Sequence, residues 1–226
     1  MTLSARNISK SIGGKTILTD CSLDVKAGEC LVLRGPSGGG KSTLLRILSL
    51  LEPADSGDII HGNTQWDAAF PRKVSAYPFL TLVFQQLFLW PNLTNAQNIS
   101  LVLEHKPSHT LPSVVEDTLG RLSISGLMQK YPHECSLGER QRVAVARALV
   151  SPAKFLLLDE PSSALDSANK SILVKELQAA LAQGRGALVV THDFSVYASI
   201  ATQSLELENS RLRRLDIRAN NSALHL

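Results

Sequence analysis

The sequence predicts an α/β fold: a mostly parallel sheet, an N-terminal antiparallel β part and an inserted helical subdomain. Three observations carry this reading. Phe155–Leu158 and Ala187–Thr191 are short apolar runs separated by a helical stretch at about 167–183, a βαβ pattern that implies parallel strands. Cys30–Leu33 is another apolar run; a glycine-rich turn follows, then Leu44, Leu45, Ile47, Leu48 and Leu51 at helical spacing. Residues 87 to about 150 are helical in character and fall between strand candidates. A chain of 226 residues has room for one sizeable domain with such a subdomain.

The elements follow in order. Leu3–Ser9 and Thr16–Val25 read as strands; Leu18, Leu23 and Val25 alternate in part, and Gly13-Gly14 is the turn between them. Pro53 to Gly57 punctuates the chain, and Asp58–His61 is a short strand candidate. Residues 62–76 carry little pattern. Phe79–Phe84 is strand-like and ends at Gln85-Gln86. Thr94 caps a helix through Ile99 and Leu103; residues 105–112, with Pro107 and Pro112, read as a loop. Val114–Leu122 and the alanine-rich Val143–Val150 are further helices. The expected core is about 1–86 and 151–215, the helical subdomain about 87–150, and 216–226 a frayed tail.

Gly35-Pro36-Ser37-Gly38-Gly39-Gly40-Lys41-Ser42 fits G-x-x-x-x-G-K-[ST], the phosphate-binding loop of a P-loop NTPase core. Backbone N–H groups and a helix N-terminus surround the phosphates with partial positive charge. Glycines permit that close approach. Lys41 is expected to reach the β- and γ-phosphates, and Ser42 to give its hydroxyl to Mg²⁺. Phe155–Leu158 runs into Asp159 and Glu160. Asp159 is placed to hold Mg²⁺, directly or through water, and Glu160 to polarise the attacking water. Asn169-Lys170-Ser171-Ile172 is the nearest string to a guanine-reading Asn-Lys-x-Asp, and it lacks the acid, which favours ATP.

These pieces resemble the ATP-binding cassette family over about residues 3–215. Gly35–Thr43 resembles its Walker A loop, with Thr43 closing the motif. Gln85 resembles the glutamine that senses Mg²⁺ and faces a membrane partner. Asp159 and Glu160 resemble Walker B and the catalytic glutamate. Ser163-Ala164-Leu165-Asp166 resembles the D-loop at the dimer interface, and His192 the switch histidine that contacts the γ-phosphate. Tyr131–Leu149 resembles the signature region and its helix, in which Ser136 and Gly138 serve the ATP of the opposite subunit. The resemblance implies a Mg²⁺-dependent ATPase that powers transport through separate integral membrane permease subunits, closest in look to bacterial polar amino-acid importers. It also implies a second cassette subunit, with a homodimer expected. A soluble, non-transport cassette and a weakly hydrolysing one are the alternatives.

Two departures stand out. The family signature Leu-Ser-Gly-Gly-Gln is here Cys135-Ser136-Leu137-Gly138-Glu139. If position 137 needs φ > 0, leucine costs about 1–2 kcal/mol. Ser136-x-x-Glu139 also fits a capping box, which turns Glu139 back onto the backbone. Where the family stacks an aromatic on adenine, Ile12 offers apolar contact only.

Composition bounds the partners. A net charge of +3 gives no case for nucleic acid. No apolar run reaches the roughly 18 residues of a membrane span. Residues 1–25 lack the apolar stretch of a signal peptide, so a cytoplasmic protein, peripheral on the inner membrane through its partner, is expected. Cys21, Cys30 and Cys135 suit buried thiols. Leu87–Pro91 is either subdomain core or part of a groove for a membrane partner. His105, His109 and the arginines 211, 213, 214 and 218 read as solvated surface.

Overall fold

The computed structural model describes residues 1–69, 75–103 and 112–217. His105, His109 and Arg218, most of the expected 105–112 loop and nearly all of the expected tail lie outside these residues.

The N-terminal part is antiparallel. Strands β1 (Thr2–Ile12), β2 (Lys15–Lys26), β4 (Ser56–His61) and β5 (Thr64–Asp67) form a sheet in the order β2-β1-β4-β5. Gly13 and Gly14 both take positive φ, which lets two residues turn β1 back onto β2. The second sheet joins β3 (Cys30–Arg34), β6 (Leu80–Val83), β7 (Phe155–Asp159), β8 (Gly186–Val190), β9 (Gln203–Glu208) and β10 (Arg211–Leu215), in the order β10-β9-β3-β8-β7-β6. All its neighbours are parallel except the β9–β10 hairpin.

Strands buried on both faces explain the continuous apolar runs. Leu31, Leu33, Leu157, Leu188 and Val190 face one core, shared with the antiparallel sheet and helix α1 (Lys41–Leu48). Their neighbours Cys30, Val32, Leu156, Leu158 and Val189 face a second core. That core is covered by α3 (Ser113–Arg121), α4 (Leu137–Val150), α5 (Ser167–Ala182) and the short α6 (Phe194–Tyr197). The period-2 alternation of a strand thus supplies two layers at once. Each fully buried leucine or valine contributes roughly 1.5–3 kcal/mol.

Helices α2 (Asn95–Ser100), α3 and α4 occupy the stretch between β6 and β7, as the inserted helical part required. Thr94 caps α2 with its side chain accepting from Gln97 N, but the helix stops at Ser100, short of the expected Leu103. Helix α4 starts at Leu137, not Val143. Its capping box nucleates it six residues before the alanine-rich run. At its far end, half-buried Arg185 donates to the carbonyls of Leu149 (2.8 Å) and Ala148 (3.0 Å), a charge suited to a helix C-terminus. Strand β5 and the β9–β10 hairpin escape the sequence reading. The three cysteines are free and buried. Among the described residues no helix is long and apolar enough to cross a membrane.

Candidate nucleotide site

Parallel strands deliver the site residues from their C-terminal ends, the edge at which α/β sheets bind ligands. Strand β3 runs into Gly35–Gly40 and then α1. Strand β7 ends at Asp159 and continues to Glu160. Strand β8 leads to Thr191 and His192. The register Leu33↔Val190 and Asp159↔Val190 brings the three ends level.

The loop depends on its glycines for distinct reasons. Gly35 (φ 141°) lies so close to Leu207 that an added Cβ would sit 2.4 Å from its carbonyl oxygen. At Gly40 (φ 99°) a Cβ would meet Ile17 Cγ2 at 2.7 Å, so β2 presses on the loop from outside. Gly38 (φ 72°) has open space, and only its backbone conformation asks for glycine. Gly39, Pro36 and Ser37 complete the turn, with Pro36 and Ser37 exposed. No side chain caps α1, so its first N–H groups stay open toward the loop. Ser42 and Thr43 stand half-buried in its first turn.

Lys41 is buried and donates from Nζ to the carbonyls of Gly35 and Pro36, both at 2.8 Å. Burial lowers its pKa, against the opposing pull of Glu160 and Asp159. Glu160 has φ 51°, and its N–H donates to Val190 O at 3.0 Å. Burial pushes its carboxyl above the ordinary range; the neighbouring His192, in part through a backbone hydrogen bond, and the Lys41 ammonium pull the other way. Its Oε1 lies 3.2 Å from His192 Nε2, without hydrogen-bond alignment. The same imidazole nitrogen lies 3.4 Å from Ser37 Oγ, so His192 bridges the β8 end to the phosphate loop. Lys41, Asp159, Glu160, His192 and the 35–40 loop are therefore one cluster. A carboxylate with a raised pKa beside a buried ammonium is suited to proton abstraction.

The remaining expected site residues sit around this cluster. Gln85 is exposed two residues beyond β6, whose last pair, Val83↔Leu158, lies beside the strand that ends at Asp159. Ile12 is exposed at the tip of the β1–β2 hairpin. It pairs with Lys15, two residues before Ile17, which abuts Gly40. Ser136 caps α4: its Oγ accepts from Glu139 N (3.3 Å), and Glu139 Oε2 accepts from Ser136 N (2.8 Å). These backbone and hydroxyl donors hold the Glu139 carboxyl below its ordinary range. Leu137 occupies the first helical position with ordinary negative φ, so the feared dihedral cost does not arise; its side chain is 55% exposed. Gly138 packs on the following loop, where a Cβ would meet Ala164 O at 2.6 Å. Asp166 caps α5 by accepting from Asn169 N at 2.8 Å. Asn169 also binds Arg142, and Lys170 pairs with Asp193, so neither has a base-reading geometry.

Sequence reasoning missed Ile17, Leu207 and Gln141. Gln141 shares a helix face with Gly138, three residues earlier, and that spacing was the available signal. Two cavities lie away from this cluster: one of about 450 Å³ beside β9 and β10, and one of about 190 Å³ between the end of α1 and β6.

Strand ends, glycine loop and paired acids define a P-loop nucleoside-triphosphate site. A family profile described as "ABC transporter" matches residues 18–163, and the chain belongs to that family. The glutamine transport ATP-binding protein GlnQ of Escherichia coli K12 is 32% identical over 210 residues, 92% of this chain and 88% of that protein. A sulfate/thiosulfate import ATP-binding protein, CysA of Halalkalibacterium halodurans, is 42% identical over 187 residues, 79% of this chain; the matched part is 50% of that relative's length. Among solved structures, a dimeric bacterial ABC transporter cassette, MJ0796, superposes with TM-score 0.84 at 27% identity, covering 96% of this chain and 99% of that one. A second structure of that cassette, with ADP and Pi bound, gives TM-score 0.83.

Proposed function

We propose that this chain is the ATP-hydrolysing subunit of a bacterial importer, seated on the cytoplasmic face of the inner membrane against a separate integral membrane permease. The observation that carries the chemistry is the Glu160 carboxylate, set between His192 and Lys41 at the mouth of the glycine loop. In this reading the N–H groups of residues 35–43 and the Lys41 ammonium bind the phosphates. Glu160 takes the proton of the attacking water, and His192 orients the γ-phosphate. Ile12 lies against the adenine.

Ser42, Asp159 and Gln85 offer a hydroxyl, a carboxylate and an amide carbonyl, hard oxygen donors that fit Mg²⁺. Bound there, Mg²⁺ would neutralise charge developing on the phosphates. Ser136, Gly138 and Asp166 lie on a face that would meet the nucleotide of a second copy in a head-to-tail homodimer; the dimeric MJ0796 cassette supports this arrangement.

Docking to a permease is supported by the segment after Gln85. Leu87 and Leu89 pack inward, while Phe88 and Trp90 are 54% and 58% exposed. Arg147 of α4 holds this segment by donating to the carbonyls of Phe88 (3.0 Å) and Leu87 (3.1 Å). The relatives' names span amino acids, sulfate and polyamines at similar identity, so the solute is set by the permease. Affinity isolation from detergent-solubilised membranes tests the reading: a stoichiometric multi-spanning protein supports it. A chain recovered only with ribosomes or nucleic acid would replace it with the soluble alternative.

A further inference from the structure

We propose that Gln141 is a positioning residue for hydrolysis, tying helix α4 to the backbone of Glu160 and to the 163–166 loop of the same chain. The inference rests on the reading of Glu160 as the general base.

Gln141 is only 4% exposed, in the second turn of α4. A buried side-chain amide is costly unless both its ends are satisfied. Here both are. Nε2 donates to Glu160 O at 2.7 Å and to Ser163 Oγ at 3.2 Å, and Oε1 accepts from Ala164 N at 3.0 Å. One amide therefore fastens three points of the turn that follows β7, at residues 160, 163 and 164.

That turn starts from an unusual conformation. Glu160 carries φ 51°, a left-handed value that a glutamate does not adopt without support from its surroundings. Its N–H is held by Val190 O (3.0 Å) and its carbonyl by Gln141. With both peptide groups fixed, the carboxylate has only its own χ angles left with which to find the water. One turn before Gln141, the close approach of Gly138 to Ala164 O presses α4 onto the same loop. The helix end bearing Ser136 and the carboxylate at Glu160 thus share one buried hydrogen-bonded joint. A misplacement of about 1 Å in a reacting group can cost roughly 100-fold in rate, so the joint is expected to act on turnover and not on nucleotide affinity.

The test uses the full chain with Mg²⁺ and radiolabelled ATP. Wild type, Gln141→Glu (which keeps the acceptor and loses the donor), Gln141→Met (which fills similar space with neither) and Glu160→Gln are compared, together with Gln141→Met/Glu160→Gln. Folding is monitored by the rise in melting midpoint that ATP produces. Expected are a fall in kcat of roughly tenfold or more for both single Gln141 variants and KM within about twofold. No further loss is expected when Gln141→Met is added to Glu160→Gln, because the group being positioned is already gone. Unchanged kcat in a folded Gln141→Met protein overturns the inference and leaves the Glu160 reading standing. An equal loss in both backgrounds also overturns it, since Gln141 would then act through something other than Glu160. Full turnover by Glu160→Gln removes the reading itself, and the inference with it.

Discussion

Glu160 Oε1 lies 3.2 Å from His192 Nε2, joining the end of β7 to the end of β8 across the mouth of the glycine loop. The contact moderates the ionisation of the carboxylate proposed as the base. Burial raises the Glu160 pKa, and the neighbouring His192 offsets part of that rise.

The pH dependence follows with a definite sign. Glu160 must be ionised to accept a proton, so kcat should fall on the acid side with a midpoint above the ordinary carboxylate range. His192→Ala removes the imidazole that offsets the rise and should move that midpoint to higher pH, besides lowering kcat. A pH–rate profile on the two proteins checks this; a midpoint that moves down would contradict it.

The same shift bears on stability. A carboxyl whose pKa is raised on folding adds stability below its unfolded pKa and loses it as pH rises through the folded value. Glu160→Gln should therefore raise the melting midpoint at pH 8, and the gain should shrink as pH falls toward the ordinary carboxylate range. Thermal melts across that window check it.

The loop glycines should not be equivalent. Gly35→Ala forces a Cβ onto the Leu207 carbonyl, which belongs to a sheet strand and cannot yield. Gly38→Ala has space and pays only the left-handed dihedral, about 1–2 kcal/mol. Denaturant unfolding should rank Gly35→Ala as clearly the more damaging, and equal losses would contradict the close β9 contact.

Leu137 is the first residue of α4. It lies in the helix with its side chain exposed, so Leu137→Gly should change stability by no more than about 1 kcal/mol. If α4 meets the partner's nucleotide, removing that bulk should raise turnover. Phosphate release at saturating ATP decides; equal or slower turnover would mark Leu137 as tolerated variation.

The legible parts of the molecule were those whose chemistry is local in sequence. The glycine loop, the acids after β7 and the histidine after β8 each follow a short apolar strand, and parallel register alone brings them together. The antiparallel hairpin was marked by Gly13-Gly14. The β9–β10 hairpin was missed because its strands are rich in Glu and Arg. Its signal was the alternation of buried Leu205 and Leu207 before a turn at Asn209 and Ser210, both at positive φ. Helix α4 was placed late because the alanine run outweighed a capping box already visible at Ser136 and Glu139. Gln141 was harder to read: its helical spacing from Gly138 marks only a shared face, and its partners lie 19 to 23 residues away on another element, where tertiary packing alone makes them neighbours.

The central claim is that Glu160 is the base of an ATPase whose binding apparatus stands apart from it. Glu160→Gln tests it most directly, with ATP affinity by equilibrium binding and turnover by phosphate release on the same preparation. Affinity should stay within about threefold while turnover falls by roughly 100-fold or more, and the variant with ATP should shift from monomer to dimer in sedimentation. Turnover equal to wild type would contradict the account and remove Glu160 from the chemistry.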